Sequence, residues 1–223
     1  IQINILEQIR IAFESITNVA ATLHGQRKIY QGAFGRRTSL FPSQKCGGSI
    51  PLESRLELAH AIKLEQNPNI INYRSQALKI LLTDKLTCFP DFLVQTQKGN
   101  YEVHEVKPSV ASLSTDDLNR FTMLADLLHS IDITFKLIDQ TNLPSESEIP
   151  QLLYWYQRGH RFNWNKFEIN YALDQLTLKE FNNSTQVYKA LESIGLKQEL
   201  ADYLFFHQRI KISPVKQEIS EAY

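Results

Sequence analysis

The sequence predicts an α/β protein in which helices flank a mixed sheet, followed by a small, mostly helical domain. Two apolar runs, residues 92–94 and 101–106, surround the turn 98–100, which predicts a β-hairpin. A helical stripe and a further strand pattern follow this hairpin, and that order indicates a parallel crossover. Beyond residue 161 the periodicity is largely helical. We therefore expect three parts: an N-terminal helix (1–24), a larger α/β domain (25–160) and a C-terminal domain (161–223).

The chain opens with apolar residues at helical spacing, which predicts one amphipathic helix reaching about residue 23. We interpret this helix as packing on its own domain, with docking of a partner as the alternative. Residues 24–49 are rich in glycine and interleave basic with aromatic side chains, a composition that suits contacts with phosphates. A plain surface loop is the alternative. The candidate DNA-binding residues of this arm are Arg27, Lys28, Arg36, Arg37 and Lys45.

Residues 51–66 predict the next helix, because Pro51 and Glu53 suit a first turn. Glu57 shares one helix face with Ala61 and Leu64, so its carboxylate points toward the core and needs a partner or a metal. A surface glutamate is the alternative, and Glu53, one turn earlier, is the rival for the buried role.

A strand at 77–82 precedes the hairpin, so we expect three adjacent antiparallel strands. Gln76 comes just before this strand and is expected to be a simple strand-edge amide that supports the site. His104, in the second hairpin strand, points away from its acidic neighbour and is interpreted as structural.

The hairpin carries the strongest chemical signal, and a solvated hairpin with ordinary charges is the alternative. Asp91 begins its first strand, while Glu105 and Lys107 end the second on one face, about 6–7 Å apart. This is the P-D…E-x-K pattern of the restriction-endonuclease-like nucleases. Carboxylates and a backbone carbonyl suit Mg²⁺, and Mn²⁺ can substitute; the expected ligands are Glu57, Asp91, Glu105 and the Val106 carbonyl. Lys107 would position the attacking water or stabilise charge on the phosphate.

The remaining elements complete the two domains. N-cap chemistry at 115–117, a helical stripe at 118–128 and a strand at 133–138 follow the hairpin. A short helix at 152–156 ends at Gly159, and the boundary is expected within 158–163. Helical segments at 176–181, 184–194 and 197–206, then a strand at 209–213, suggest a winged helix. The last helix, 197–206, has few basic and amide residues and also carries Glu199 and Asp202, which DNA would repel. We therefore favour protein docking over DNA readout for this domain.

Charge and cysteine content narrow the function classes. The chain has 24 basic and 24 acidic residues, and zero net charge argues against a general coat for polyanions. A nuclease of this charge needs a local basic patch or delivery by a partner. Cys46 and Cys88 lack metal-ligand spacing and fit reduced thiols, with one disulfide the less favoured alternative. No apolar run could span a bilayer and residues 1–19 lack a signal-peptide core, so we expect no membrane and a bacterial cytosolic location, nucleoid-associated when assembled.

Four sequence blocks in a fixed order carry a family resemblance: 54–59 (SRLELA), 72–76 (NYRSQ), 91–94 (DFLV) and 106–108 (VKP). Over residues 32–159 the chain resembles the TnsA endonuclease subunit of heteromeric, Tn-seven-like cut-and-paste transposases. The resemblance implies a restriction-endonuclease-like domain with Glu57, rather than Glu53, as catalytic glutamate, together with Asp91 and Lys107. Some of the family have glutamine two positions before the lysine; Glu105 departs from this and adds a ligand. A C-terminal winged helix is also implied.

The resemblance further implies an activity and its partners. The chain would hydrolyse the non-transferred strand at the 5′ ends of transposon termini, while a DDE-type transposase cuts and joins the 3′ ends. An AAA+ regulator would contact the C-terminal domain. The alternatives are a stand-alone restriction or repair endonuclease, which needs its own base-reading element, and a catalytically silent scaffold that binds transposition proteins.

Overall fold

The computed structural model describes residues 4–15, 39–177 and 179–212, and the chain divides into two compact units, Ile1–Glu146 and Ser147–Tyr223. The elements of the first unit alternate helices with short strands. In chain order they are α1 (Ile5–Glu14), β1 (Ser39–Ser43), β2 (Gly48–Leu52), α2 (Arg55–Gln66), β3 (Ile70–Ser75), β4 (Ile80–Thr83), β5 (Leu86–Cys88), β6 (Phe92–Thr96), β7 (Tyr101–Lys107), α3 (Thr115–His129) and β8 (Thr134–Asp139).

A four-stranded mixed sheet in the order β3-β6-β7-β8 forms the centre of this unit. β6 and β7 make the predicted antiparallel hairpin, with Gly99 at φ +84° in its turn, and β7 pairs with β8 in parallel. This confirms an α/β fold with a mixed sheet. The expected pairing of the preceding strand with the hairpin is wrong, because the tight turn at 84–85 folds β4 onto β5 and leaves β3 to pair with β6.

One face of the sheet carries a core shared with α1 and α3. Leu93 and Val103 from the sheet pack with Leu124 of α3 and Ile9 of α1. α1 is also anchored by Gln8, whose side chain exchanges two hydrogen bonds with the backbone of Lys79, at 3.1 and 2.8 Å. The helix therefore packs on its own domain, as expected. It ends at Glu14, where Ser15 turns extended, rather than near residue 23; residues 16–38 lie outside the described part.

The opposite face lies against α2. His60 of α2 contacts Phe92 of β6, with ring centroids 5.1 Å apart. α2 begins at Arg55 because the Ser54 side chain caps it by accepting the N–H of Glu57. The predicted start at Pro51 is wrong, since that residue lies in β2. The described portion of the expected loop, residues 39–49, is likewise a β-hairpin formed by β1 and β2.

α3 covers the first face and joins β7 to β8. Its N-cap is Ser114, whose hydroxyl accepts the N–H of Asp117 at 3.1 Å, so the cap lies just before the predicted 115–117. No helix in the described part of the chain is long and apolar enough to cross a membrane.

The described residues of the second unit form four helices joined by short connections and contain no strand. Its elements are α4 (Ile149–Gly159), α5 (Lys166–Leu176), α6 (Ser184–Ser193) and α7 (Glu199–Phe206). The last two match the predicted helices, whereas the helix expected at 176–181 is wrong because α5 ends at Leu176.

The predicted strand at 209–213 does not form up to Ile212, the last described residue. Gln208 is left-handed (φ +54°) and the Arg209 N–H donates to the Leu204 carbonyl at 2.8 Å, so a helix-ending turn takes the place of the strand start. The winged-helix interpretation is therefore not confirmed.

α4 belongs to this second unit rather than to the first, where it was expected. Tyr156 packs against Phe206 of α7, with ring centroids 4.9 Å apart. Gly159 lies so close to α7 that an added Cβ would be 2.5 Å from the Tyr203 nitrogen. The division between the two units accordingly falls at 146/147 rather than at the predicted 160/161.

Candidate active site

The three charged residues predicted on the hairpin lie together at one end of the central sheet. Phe92 pairs with His104, so Asp91, just before β6, is beside Glu105 of β7. Asp91 Oδ2 accepts the backbone N–H of Val106 at 2.8 Å. Lys107 Nζ lies 2.7 Å from Glu105 Oε1. The strand period of two therefore brings these side chains to one place, as expected.

A pocket of about 370 Å³ opens at this sheet end. Carboxylates and cations share its wall with apolar side chains from α3. The lining residues are Glu53, Gln76, Thr87, Cys88, Phe89, Asp91, Glu105, Lys107, Arg120, Phe121 and Leu124. A small group that carries both charge and hydrogen-bonding atoms fits such a wall.

The charge in this pocket is poorly compensated. Burial raises the pKa of Asp91 well above its ordinary value, and the negative charges of Glu105 and Glu57 raise it further. The hydrogen bond from Val106 and the charge of Lys107 act in the opposite direction without cancelling the shift. The site thus holds carboxylates in an arrangement that a cation would stabilise.

The two candidate glutamates near the start of α2 lie in different places: Glu57 is buried and Glu53 lines the pocket. Glu57 is buried, at 6% exposure, and its carboxylate accepts hydrogen bonds from the Glu53 N–H and the Ser54 hydroxyl, both at 2.9 Å. It acts on Asp91 through its charge, whereas Glu53 lines the pocket. The predicted inward direction of Glu57 is confirmed, and the rival Glu53 is the glutamate at the pocket wall.

The donor set matches a hard divalent cation in chemistry. Carboxylate oxygens of Asp91 and Glu105 are the ligands that Mg²⁺ prefers. The neighbouring carboxylates contribute to the raised pKa of Asp91, and a bound cation would neutralise their negative charge. Among the described residues, no group of three His, Cys, Asp or Glu side chains is already arranged to hold a metal. Glu105 is paired with Lys107, so a cation would have to draw it from that pair.

Gln76 is more than the expected strand-edge amide. It follows β3, is only 2% exposed, and has a left-handed backbone with φ +46°. Its N–H donates to the Asp91 carbonyl at 2.8 Å, while its side-chain oxygen, buried in the pocket wall, has no hydrogen-bond partner. The sequence signal was only its position before a strand, and the left-handed turn that buries it could not be inferred.

Arg120 is a pocket residue that the sequence analysis missed. Its Nη2 lies 2.9 Å from Asp117 Oδ1 and its guanidinium lies 4.7 Å from the centre of the Phe121 ring. Its Nε is buried without a partner. The available signal was its position beside Phe121 on the apolar stripe, at the end of α3 nearest the hairpin in sequence.

The predicted DNA-binding arm is only partly within the described residues. Lys45 Nζ donates to the carbonyls of Leu64 and Asn67, at 2.7 and 2.5 Å, and burial lowers its pKa to about 8. It therefore caps the C-terminal end of α2 instead of being free for a phosphate. Arg27, Lys28, Arg36 and Arg37 lie outside the described residues and remain a prediction.

Two other predictions concern residues away from the pocket. His104 Nδ1 lies 2.9 Å from His60 Nε2, and its Nε2 lies 2.8 Å from Glu102. These contacts lie on the face of the sheet opposite Glu105. They agree with the structural interpretation of His104, which stays a prediction. Cys46 and Cys88 are both buried and form no disulfide with each other, as expected.

No protein-family model matches this chain, and a search of curated proteins finds no significant match.

Proposed function

We propose that this chain is a metal-dependent DNA endonuclease subunit of a transposase. It hydrolyses the non-transferred strand at the 5′ ends of transposon termini, and a DDE-type transposase cuts and joins the 3′ ends. The observation that carries the proposal is the convergence of Asp91, Glu105 and Lys107 on one pocket at the end of a mixed sheet. A purely structural role explains this poorly, because burying Asp91 beside other carboxylates raises its pKa and costs stability.

Each side chain has a role in the proposed hydrolysis. Asp91, Glu105 and the Val106 carbonyl would hold Mg²⁺ or Mn²⁺, which stabilises negative charge on the phosphate oxygens when bound. Lys107 orients the hydrolytic water from its place beside Glu105. The water oxygen forms a new bond to phosphorus and the bond to the leaving sugar oxygen breaks. One water proton ends on that oxygen, so the products are a phosphomonoester and an alcohol.

The charge balance supports a subunit that partners bring to DNA. With 24 basic and 24 acidic residues, the chain has no net attraction for a polyanion. The DDE transposase would supply most of the binding to transposon ends. A AAA+ regulator is the proposed partner of the second unit, whose described residues form four helices and no strand.

The test is a strand-resolved nicking assay on labelled transposon-end duplex with Mg²⁺, with and without the cognate transposase. The proposal expects partner-dependent nicks on the non-transferred strand that are lost in Asp91→Ala. Asp84→Ala is the matched control, because Asp84 is exposed in the β4–β5 turn. Nicking without a partner would favour a stand-alone endonuclease, and transposase binding without nicking would favour a scaffold.

A further inference from the structure

Two buried polar atoms without hydrogen-bond partners line the same pocket. They are the side-chain oxygen of Gln76 and the Nε of Arg120. Buried polar atoms in native proteins are almost always hydrogen-bonded, so an unpaired donor and an unpaired acceptor in one cavity indicate groups that bind there.

The backbone holds Gln76 in the pocket at a conformational cost. Its φ of +46° is uncommon for a residue other than glycine, and such conformations cluster where they serve function. The hydrogen bond from its N–H to the Asp91 carbonyl fixes it beside the residue proposed to bind metal. The amide is therefore set in place before any ligand arrives.

Arg120 is held in place while one of its buried donors stays unpaired. Asp117 binds its Nη2, and the Phe121 ring supports the guanidinium plane. These contacts leave Nε, in the pocket wall, without a partner. A guanidinium fixed in this way suits a phosphate oxygen, which only accepts hydrogen bonds.

The two atoms call for different ligand groups. The Gln76 oxygen needs a donor, and water is the donor that phosphodiester hydrolysis requires. Arg120 needs an acceptor, which a non-bridging phosphate oxygen provides. We propose that Gln76 accepts a hydrogen bond from the hydrolytic water and that Arg120 binds a non-bridging oxygen of the scissile phosphate. This inference rests on the proposed function and assigns its water and phosphate subsites.

The test separates turnover from binding in the transposase-assembled reaction. Gln76→Met keeps the side-chain length but removes the oxygen; it should lower kcat about tenfold with KM unchanged, because one hydrogen bond to the attacking water is lost. Arg120→Gln should raise KM and weaken duplex binding, measured by fluorescence anisotropy, about tenfold. Gln95→Met and Arg55→Gln, outside the pocket lining, are matched controls that should change neither quantity.

Thermal unfolding of each variant distinguishes a binding role from a structural one. If Gln76→Met does not fold, Gln76→Asn replaces it, since asparagine tolerates a left-handed backbone and its amide falls short of the pocket. A lower Tm with kcat and KM per folded molecule unchanged would overturn the inference. So would unchanged kinetics and binding in both variants while Asp91→Ala is inactive, a result that leaves the proposed function standing. A wild type that neither hydrolyses nor binds the duplex would overturn both.

Discussion

At the scale of single residues, a chain of hydrogen bonds on the α2 side of the sheet runs from the exposed Lys136 to the buried His60. Lys136 Nζ lies 2.7 Å from Glu102, which binds His104, which in turn binds His60. Burial, followed by the charges of His104 and Lys136, lowers the pKa of His60 to about 3. Between pH 6.5 and about 3, His60 is therefore neutral in the folded protein, whereas the same side chain is protonated in the unfolded chain.

This shift predicts that stability is lost with acid. Below the unfolded pKa of 6.5, the unfolded chain binds a proton at His60 and the folded chain does not. The contribution of His60 to the free energy of unfolding therefore falls as pH drops toward 3. The slope from this residue is about 1.4 kcal/mol per pH unit. Between pH 6 and 4, the rise of the free energy of unfolding with pH, measured by denaturant unfolding, should be steeper by this amount in the wild type than in His60→Gln, because Asp91 and the other titrating groups contribute equally in both proteins. His129→Gln, at an exposed histidine of α3, should keep the wild-type slope.

The pKa of Asp91 is raised rather than lowered, so we expect the residue to reduce stability while it serves the proposed function. Because its folded pKa is raised, the folded state holds the proton longer, and stability falls as pH rises above the unfolded value of 3.8. Asp91→Asn keeps an acceptor for the Val106 N–H and removes the charge. The free energy of unfolding of Asp91→Asn should exceed that of the wild type by about 2 kcal/mol near pH 8, and by less near pH 4.

A divalent cation should reverse that order. Mn²⁺ at about 100 times its dissociation constant should stabilise the wild type by about 2.7 kcal/mol and leave Asp91→Asn close to its metal-free Tm. Equal Mn²⁺ shifts in both proteins would contradict a cation site at Asp91.

The residues of the site differ in how far the sequence could predict them. Asp91, Glu105 and Lys107 follow from the local period of a strand and the register of a short hairpin. Gln76 depends on a left-handed turn, and Arg120 on how α3 lies over the sheet end, neither of which the sequence reveals. Local geometry was predictable here and tertiary placement was not.

The same contrast holds for whole elements. The β6–β7 hairpin, the parallel pairing of β7 with β8 and most helices follow from patterns within short windows. The pairing of β3 with β6 joins strands separated by a second hairpin, and no local signal specifies it. Helix starts at Arg55 and Thr115 were displaced because serine caps at Ser54 and Ser114 took precedence over the neighbouring proline and acidic residues.

The contact between α4 and α7 makes a prediction at this scale. A Cβ at Gly159 would lie 2.5 Å from the Tyr203 nitrogen and 2.7 Å from its Cα, and backbone atoms cannot yield as a flexible side chain does. Gly159→Ala should therefore destabilise the second unit by about 2–3 kcal/mol, measured by chemical unfolding followed through tryptophan fluorescence. Gln157→Ala, exposed on the same helix, should stay within about 0.5 kcal/mol of the wild type. A Gly159→Ala variant as stable as the control would contradict this close packing.

At the scale of the whole molecule, zero net charge restricts how the chain meets DNA. Its only predicted cationic surface is the arm with Arg27, Lys28, Arg36 and Arg37. If these four contact phosphates, the logarithm of duplex affinity against the logarithm of salt concentration has a slope of about −3.6 from them. Replacing all four by glutamine should remove that slope, as measured by anisotropy at several salt concentrations.

The control for this experiment is a second set of four basic residues, all exposed in the structure. Its members are Arg55, Lys79, Lys85 and Lys98. Their replacement by glutamine changes net charge equally and should leave the salt slope nearly unchanged. An equal loss of slope in both proteins would show that overall charge, and not the arm, governs binding.

The proposed function depends most on Asp91 as part of a hydrolytic site. The measurement that tests this directly is the single-turnover rate of nicking of transposon-end duplex by the transposase-assembled protein in Mg²⁺, compared between wild type, Asp91→Ala and Asp84→Ala. The account predicts wild-type rates for Asp84→Ala and a loss of about a thousandfold for Asp91→Ala, with both variants folded. Nicking by Asp91→Ala at the wild-type rate would contradict it.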